Sequence, residues 1–319
     1  MADALIAARV VHLTATVLMV GAVIFQFYVA APTLNRELAN ARALARFTQV
    51  TAWSSLAVAI ASGAVWLLLL SAQIAGGSIG DALSGDAFTM LTQTQFGRAL
   101  AIRFAIAGLL ATVLFGYESW SGFRWLAVAL VICFAGALAW MGHSGAGDGI
   151  AGDAQVAADA LHIISAAAWV GCLVPLAYLF MLTAVATSAL SSAEVASVTR
   201  RFSNLGILSV ATVLISGLIN TWFLVGSLAI LLDSTYGRLL MIKAALFLVM
   251  LGIAAANRIL LTPKITAASR EARTHPLRHL ARNSLLEAVL GFAIILIVGI
   301  LGMLAPELPT MEHMHLHND

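Results

Sequence analysis

The sequence predicts an all-α integral membrane protein in which eight transmembrane helices form two parallel four-helix repeats. The chain has 319 residues, of which 61% are hydrophobic and only 10% are charged, whereas a soluble domain carries about 25% charged residues. Its mean hydropathy is +0.97. Eight apolar stretches approach the length of about 20 residues that a spanning helix needs, and segments of the first half recur in the second half.

The eight stretches lie at approximately 5–30, 47–72, 98–117, 124–141, 158–181, 203–228, 238–257 and 286–305. The first and the fifth begin with some polar residues, so their outer ends are uncertain by several positions. The first stretch has no basic segment before it and ends at Ala31-Pro32 without a convincing cleavage site. We therefore expect a retained helix rather than a signal peptide.

Lysine and arginine are concentrated in alternate loops, which predicts the orientation of the chain. The basic loops contain Arg36, Arg42, Arg46, Arg124, Arg200, Arg201, Lys264, Arg270, Arg273, Arg278 and Arg282. The other loops and the C-terminus carry Asp81, Asp86, Asp148, Asp153, Asp233, Glu307, Glu312 and Asp319. The positive-inside rule places the basic loops in the cytoplasm and both termini outside. Because topology explains the basic loops, we expect no nucleic-acid partner.

An internal match divides the chain into two units. The matched segments are 12–21 with 162–171, 46–48 with 201–203, 62–63 with 216–217, and 96–103 with 236–243. Each unit has four helices, an even number, so the two copies have the same orientation and are related by an axis along the membrane normal. We expect repeats at 1–145 and 146–306, followed by a tail at 307–319. Within these units, Arg9, Arg103, Lys243 and Glu287 are charges inside predicted spans.

Two histidines, His12 and His162, begin the first matched pair of segments. Ionisable residues are costly inside a membrane and mark functional sites, and neutral imidazole is a good ligand for copper, zinc and haem iron. The predicted topology places both in the outer leaflet, and His143 lies at the outer end of the fourth helix. We expect His12, His143 and His162 to be metal ligands in one site, with Asp159 orienting the ring of His162.

The C-terminal tail is a second candidate for metal binding. His313, His315 and His317 alternate with Met311 and Met314, a composition that suits capture of copper ions; the alternative is a cloning remnant. We expect the remaining histidines and the cysteines to be ordinary polar or packing residues: His275, His279, Cys133 and Cys172.

At these residues the sequence resembles the CopD family of bacterial inner-membrane copper proteins. The most specific segments are 142–146, 159–162 and 168–176, with support from 201–203, 236–243, 257–258 and Glu287. The resemblance covers nearly the whole chain, from His12 to Pro306, and implies eight helices. Cys172 stands where a second glycine is expected. The resemblance also implies movement of copper across the inner membrane, often beside a periplasmic copper-binding partner.

The leading hypothesis is therefore copper (Cu⁺ or Cu²⁺) transport or handling from periplasm to cytoplasm by a multi-pass protein of the inner membrane with periplasmic termini. It assigns no catalytic residue and no partner beyond copper, the lipid bilayer and a periplasmic copper-binding protein. No phosphate-binding Gly-x-x-x-x-Gly-Lys-Ser/Thr run is present. Two alternatives remain: a membrane oxidoreductase that binds haem b and resembles HemJ-type protoporphyrinogen oxidases, and an assembly factor that delivers copper without transporting it.

Overall fold

The computed structural model is built from α-helices. It describes residues 1–35, 38–75, 80, 86–116, 122–142, 149–185, 190–225, 232, 234–267 and 274–304. Ten helices of these ranges are named here: α1 Ala2–Ile24, α2 Ala39–Ile74, α3 Asp86–Gln93, α4 Gln95–Gly116, α5 Gly122–Gly136, α6 Gly149–Val185, α7 Ser192–Val225, α8 Thr235–Ala256, α9 Thr262–Ala267 and α10 Thr274–Leu301.

Eight of these helices are long and apolar enough to span a membrane, which confirms the prediction of eight spans: α1, α2, α4, α5, α6, α7, α8 and α10. Several extend well beyond the apolar stretch that predicted them. Helix α2 begins at Ala39, α7 at Ser192 and α10 at Thr274, each roughly ten residues before the predicted span. Hydropathy detects only the part of a helix that needs hydrocarbon, so polar turns that project into water escape it.

Helices α1 and α6 form the centre of the molecule and cross at two glycines. A side chain added at Gly21 would overlap the backbone of Gly171, and one added at Gly171 would overlap the carbonyl of Val17. Such close contact between backbones is how small residues let membrane helices associate. Beside the crossing, the buried Cys172 donates to the Gly21 carbonyl over 3.4 Å, so a cysteine is accommodated where the resemblance led us to expect glycine. Cys133 is exposed on α5.

The two matched arginines at the starts of α4 and α8 are both exposed. Each arginine follows a glycine whose backbone N–H donates to a hydroxyl at the start of the helix. The distance is 3.2 Å from Gly97 to Thr94 and 2.9 Å from Gly237 to Ser234. This is the N-cap arrangement expected of a hydroxyl side chain. The corresponding caps agree with the internal match, while superposition of the two halves and the repeat boundaries stay predictions.

Two spanning helices depart from α-geometry near the ends that are predicted to be cytoplasmic. Helix α1 continues as a π-helix over Phe25–Ala30, and α8 continues as one over Asn257–Leu261. A π-helical turn inserts an extra residue and is frequent at functional sites. On α8 it coincides with Asn257 and Arg258, which line the inner cavity described below.

Candidate functional site

His12 is completely buried among helices of the first half, and both of its ring nitrogens have protein partners. Its Nδ1 lies 2.9 Å from the Ala59 carbonyl and 3.2 Å from the Ser62 hydroxyl. Its Nε2 lies 2.8 Å from Nη2 of Arg103. The edge of the ring packs against Trp66 at a centroid distance of 5.8 Å.

Arg103 is also completely buried, and its guanidinium is held by neutral groups. Besides His12, it donates to the Thr16 hydroxyl over 3.1 Å and to the Phe134 carbonyl. Its guanidinium carbon lies 3.7 Å from the centre of the Phe134 ring, a cation–π contact that gains strength away from water. Its Nε has no partner in the described part of the chain.

This network fixes the protonation of His12. A guanidinium only donates hydrogen bonds, so Nε2 of His12 accepts and the ring proton is on Nδ1, where it is donated to Ala59. Both nitrogens of the neutral ring are therefore used. A metal ion reaches the lone pair of Nε2 only if Arg103 moves away.

His162 on α6 occupies the matched position but has a different environment. Its Nδ1 lies 3.1 Å from the Ser216 hydroxyl, and Ser216 donates its own proton to the Thr212 carbonyl over 2.5 Å. The ring proton is therefore on Nδ1, which leaves the Nε2 lone pair available. The ring has a further hydrogen-bonding partner in the backbone of Val213, which corresponds in the internal match to Ala59 beside His12.

The ring of His162 lines a cavity of about 260 Å³ between the two halves, here called the outer cavity. Helices α1, α6, α7, α8 and α10 contribute its walls. Its polar lining residues are Arg9, Thr16, Gln155, Asp159, His162, Asn220, Thr221, Tyr236 and Lys243. Lys243 is the counterpart of Arg103 in the internal match. Lys243 lines this cavity, whereas Arg103 is hydrogen-bonded to His12.

Asp159 provides the negative charge of the outer cavity. It accepts a hydrogen bond from the Asn220 amide over 3.3 Å and attracts Arg9 and Lys243 electrostatically. Arg9 and Lys243 together outweigh the single carboxylate of Asp159, so the lining of the cavity has a net positive charge. The partner of His162 at Nδ1 is Ser216, and an orienting role for Asp159 stays a prediction.

The other predicted ligands do not add to this site in the described structure. His143, His313, His315 and His317 lie outside the described residues. Within the described ranges, no group of three or more His, Cys, Asp or Glu side chains is close enough to hold a metal ion. Two methionines whose thioethers could serve as soft copper ligands have packing roles here: Met19 is buried in the core, and Met141 packs against Leu5, Ala8 and Trp66 while reaching the outer cavity.

Two further cavities continue from the outer cavity along the second half. An apolar cavity of about 300 Å³ shares His162 and Lys243 with the outer cavity. An inner cavity of about 390 Å³ shares Trp169 and Leu214 with the apolar one. The three cavities therefore lie next to one another in series, with Trp169 and Leu214 between the last two.

Glu287 lies in the inner cavity and is only 2% exposed. It accepts a hydrogen bond from the side-chain amide of Asn257 over 2.8 Å, and the side-chain oxygen Oδ1 of Asn257 accepts one from Asn283 over 2.7 Å. Arg258, on the wall of the same cavity, donates to the Ser203 hydroxyl. A carboxyl group is thus present at the inner end of the series.

Sequence reasoning identified most of these side chains without finding their partners. Arg103, Lys243 and Glu287 were recognisable as charges within apolar helices. The hydrogen bond between His12 and Arg103 was missed, although the pairing of a matched histidine with a matched cation in both halves was a signal for it. The inner cavity was missed because residues of five helices, α6 to α10, line it.

Comparisons with known proteins agree with one another. The family model described as copper resistance protein D-like, N-terminal domain matches residues 1–153, and the model described as copper resistance protein D matches residues 196–301. A protein named copper resistance protein D, from Pseudomonas syringae pv. tomato, is 33% identical over 69% of this chain and 71% of its own.

Two other relatives extend the comparison. An Escherichia coli K12 protein named inner membrane protein YebZ is 28% identical over 94% of this chain and 98% of its own. A Bacillus subtilis 168 protein named copper transport protein CutJ is 33% identical over 32% of this chain and 18% of its own. No solved structure matches the chain.

Proposed function

Because this chain belongs to the copper resistance protein D family, we propose that it carries copper ions from the periplasm to the cytoplasm through the cavities of its second half. The chain is a multi-pass inner-membrane protein with a copper-related function. The observation that supports the path is His162, which bonds to Ser216 through Nδ1 and lines a polar cavity between spanning helices.

His162 is the entry ligand in this proposal. A neutral imidazole with an unused lone pair binds copper readily, and the hydrogen bond from Nδ1 to Ser216 holds the ring in place. Arg9 and Lys243 make the cavity net positive and so weaken the hold on a cation. A site that is to pass its ion onward must bind weakly enough to release it.

His12 and His143 complete the entry site as we predict it. His143 follows the end of the helical segment at Met141 by two residues, and Met141 itself lines the outer cavity. His12 is adjacent to the cavity through Thr16, which lines it and accepts from the same arginine. Coordination by His12 requires Arg103 to release Nε2, so copper binding there would be coupled to movement of α4.

From His162 the ion would pass the apolar cavity and the Trp169–Leu214 junction toward Glu287. Apolar constrictions can act as gates, and the carboxyl group of Glu287 beyond the junction offers a cation an oxygen ligand. When the cytoplasm is electrically negative relative to the periplasm, the membrane potential favours inward movement of a cation by about 2.3 kcal/mol per charge per 100 mV. This supplies a driving force without nucleotide hydrolysis.

The tail at 307–319 would collect copper in the periplasm or receive it from a periplasmic copper-binding protein. Delivery without transport is the second candidate, since both functions share the outer site and differ only in passage to Glu287. Haem remains the more distant alternative, because axial ligation by His12 and His162 would also require Arg103 to release His12.

The test is copper binding and uptake by the purified protein in liposomes. All variants carry His313→Ala, His315→Ala and His317→Ala, so that the tail does not mask the internal site. We expect His162→Ala to abolish internal binding and uptake, while the control Leu161→Ala, whose side chain is 53% exposed on the same helix, leaves both unchanged.

The same preparation separates the candidates. Binding with no uptake supports the delivery factor, and a Soret band in the absence of copper supports haem. If His162→Ala binds copper as tightly as its parent, the entry site is not at His162.

A further inference from the structure

Two histidines outside the transport path lie side by side at the start of α10. His275 and His279 are separated by four residues, so their side chains are on the same face of the helix. Their Nε2 atoms are 3.4 Å apart, and the ring centres are 4.4 Å apart at an angle of 51°. His275 is exposed and His279 half-buried, so both rings meet solvent on the face that is predicted to be cytoplasmic.

A hydrogen bond between the rings explains this geometry poorly. One ring would have to donate to the other, and 3.4 Å is long for a hydrogen bond between nitrogens, which is strongest near 2.9–3.0 Å. Both rings are free to bond to water instead. The sequence alone gave no reason to treat them as more than polar loop residues.

The separation fits a shared metal ion. Two nitrogens bound to one metal at about 2.0–2.1 Å lie roughly 3.3–3.6 Å apart in tetrahedral or trigonal geometry, and roughly 2.9 Å apart as neighbours in a square plane. Paired histidines four residues apart on a helix are a recurrent metal-binding arrangement. Pro276, in the first turn, favours the helical conformation that holds the pair together.

We propose that His275 and His279 form a copper site distinct from the transport path, which takes Cu(I) through both Nε2 atoms and leaves the remaining positions to water or an incoming ligand. Tetrahedral or trigonal geometry favours Cu(I) over square-planar Cu(II).

The charges nearby favour the same ion. Arg278 and Arg282 are exposed on this part of α10, and the helix start adds a partial positive charge. The repulsion is smaller for a singly charged ion than for Zn(II) or Cu(II), and solvent screens it over about 8 Å. A weak and open site of this kind suits temporary occupancy.

The test is carboethoxylation of individual histidines in the full-length protein, read by mass spectrometry with and without Cu(I) under reducing conditions. We expect Cu(I) to protect His275 and His279 together. In His279→Ala, protection of His275 should be lost, because one ligand of the pair is gone. The control Arg278→Ala changes an exposed residue between them and should leave protection intact.

A second readout is Cu(I) stoichiometry against a competing chelator. His279→Ala should lower the amount bound by about one equivalent, with His162 and the tail unchanged. Protection of His275 that persists in His279→Ala, or equal modification with and without Cu(I) in the parent, would overturn the proposal. Neither result bears on the path through His162, which is tested separately.

Discussion

Arg103 donates a hydrogen bond to Nε2 of His12 over 2.8 Å, at the centre of the first half. The counterparts in the second half, Lys243 and His162, instead line a cavity. The same pair of matched positions therefore forms a closed polar network in one half and an open one in the other. This difference is the basis for proposing an ion path along the second half, which His12 joins only when Arg103 releases Nε2.

The first prediction concerns the stability of the closed network. His12→Phe removes one of the three acceptors of the buried Arg103 charge, and leaving a buried charged group unsatisfied costs more than the roughly 1–3 kcal/mol of a neutral one. Arg103→Met removes the charge itself and leaves only neutral groups unpaired, which costs roughly 1–3 kcal/mol. We expect a larger loss of thermal stability in detergent for His12→Phe.

The double variant His12→Phe/Arg103→Met provides the check. It should be more stable than His12→Phe alone, because the stranded charge is gone. His162→Phe is the matched control and should cost less than His12→Phe, since Lys243 has Asp159 beside it. Equal losses at both histidines would show that the two networks do not differ as described.

The second prediction concerns Asp159. Replacing it with asparagine removes the negative charge from a cavity that also holds Arg9 and Lys243, so the environment of a bound cation becomes more positive. We expect Asp159→Asn to weaken internal copper binding by about 10–100-fold, the usual effect of a supporting residue. The measurement is a copper titration of the protein whose tail histidines are replaced by alanine. An unchanged copper affinity would show that Asp159 is not part of the site.

The third prediction concerns Glu287. Glutamine keeps the size of the side chain and can accept the hydrogen bond from Asn257, but it offers a cation no carboxylate ligand. Glu287→Gln should therefore slow copper uptake by about tenfold or more, equivalent to a barrier increase of roughly 1.4 kcal/mol, while binding at His162 is retained. The control is Asn283→Ala, which contacts Asn257 rather than Glu287. Loss of binding at His162 in Glu287→Gln would contradict separate outer and inner sites.

The fourth prediction concerns orientation. A reporter that is active only in the cytoplasm should give no signal when it is fused to the C-terminus, and a strong signal when it is fused within the basic loop before α10. The reason is the alternation of basic and acidic loops. The reverse result would place His275 and His279 in the periplasm and the outer cavity on the cytoplasmic side.

The sequence by itself determined the class of the fold. Composition and hydropathy located all eight spans, because each spanning segment must itself be apolar and nearly free of charge, whatever it packs against. It also singled out His12, His162, Arg103, Lys243 and Glu287, because a polar residue in an apolar helix is conspicuous wherever the helix packs.

Only the tertiary structure decided what those residues contact. Residues 91 positions apart form the hydrogen bond between His12 and Arg103, and no local pattern encodes whether the matched lysine makes the same bond. Burial of a polar group requires a partner, but several helices could supply it. The packing of α1 against α2 and α5, with Arg103 extending from α4, closed the first network, whereas His162 lines the cavity between the halves.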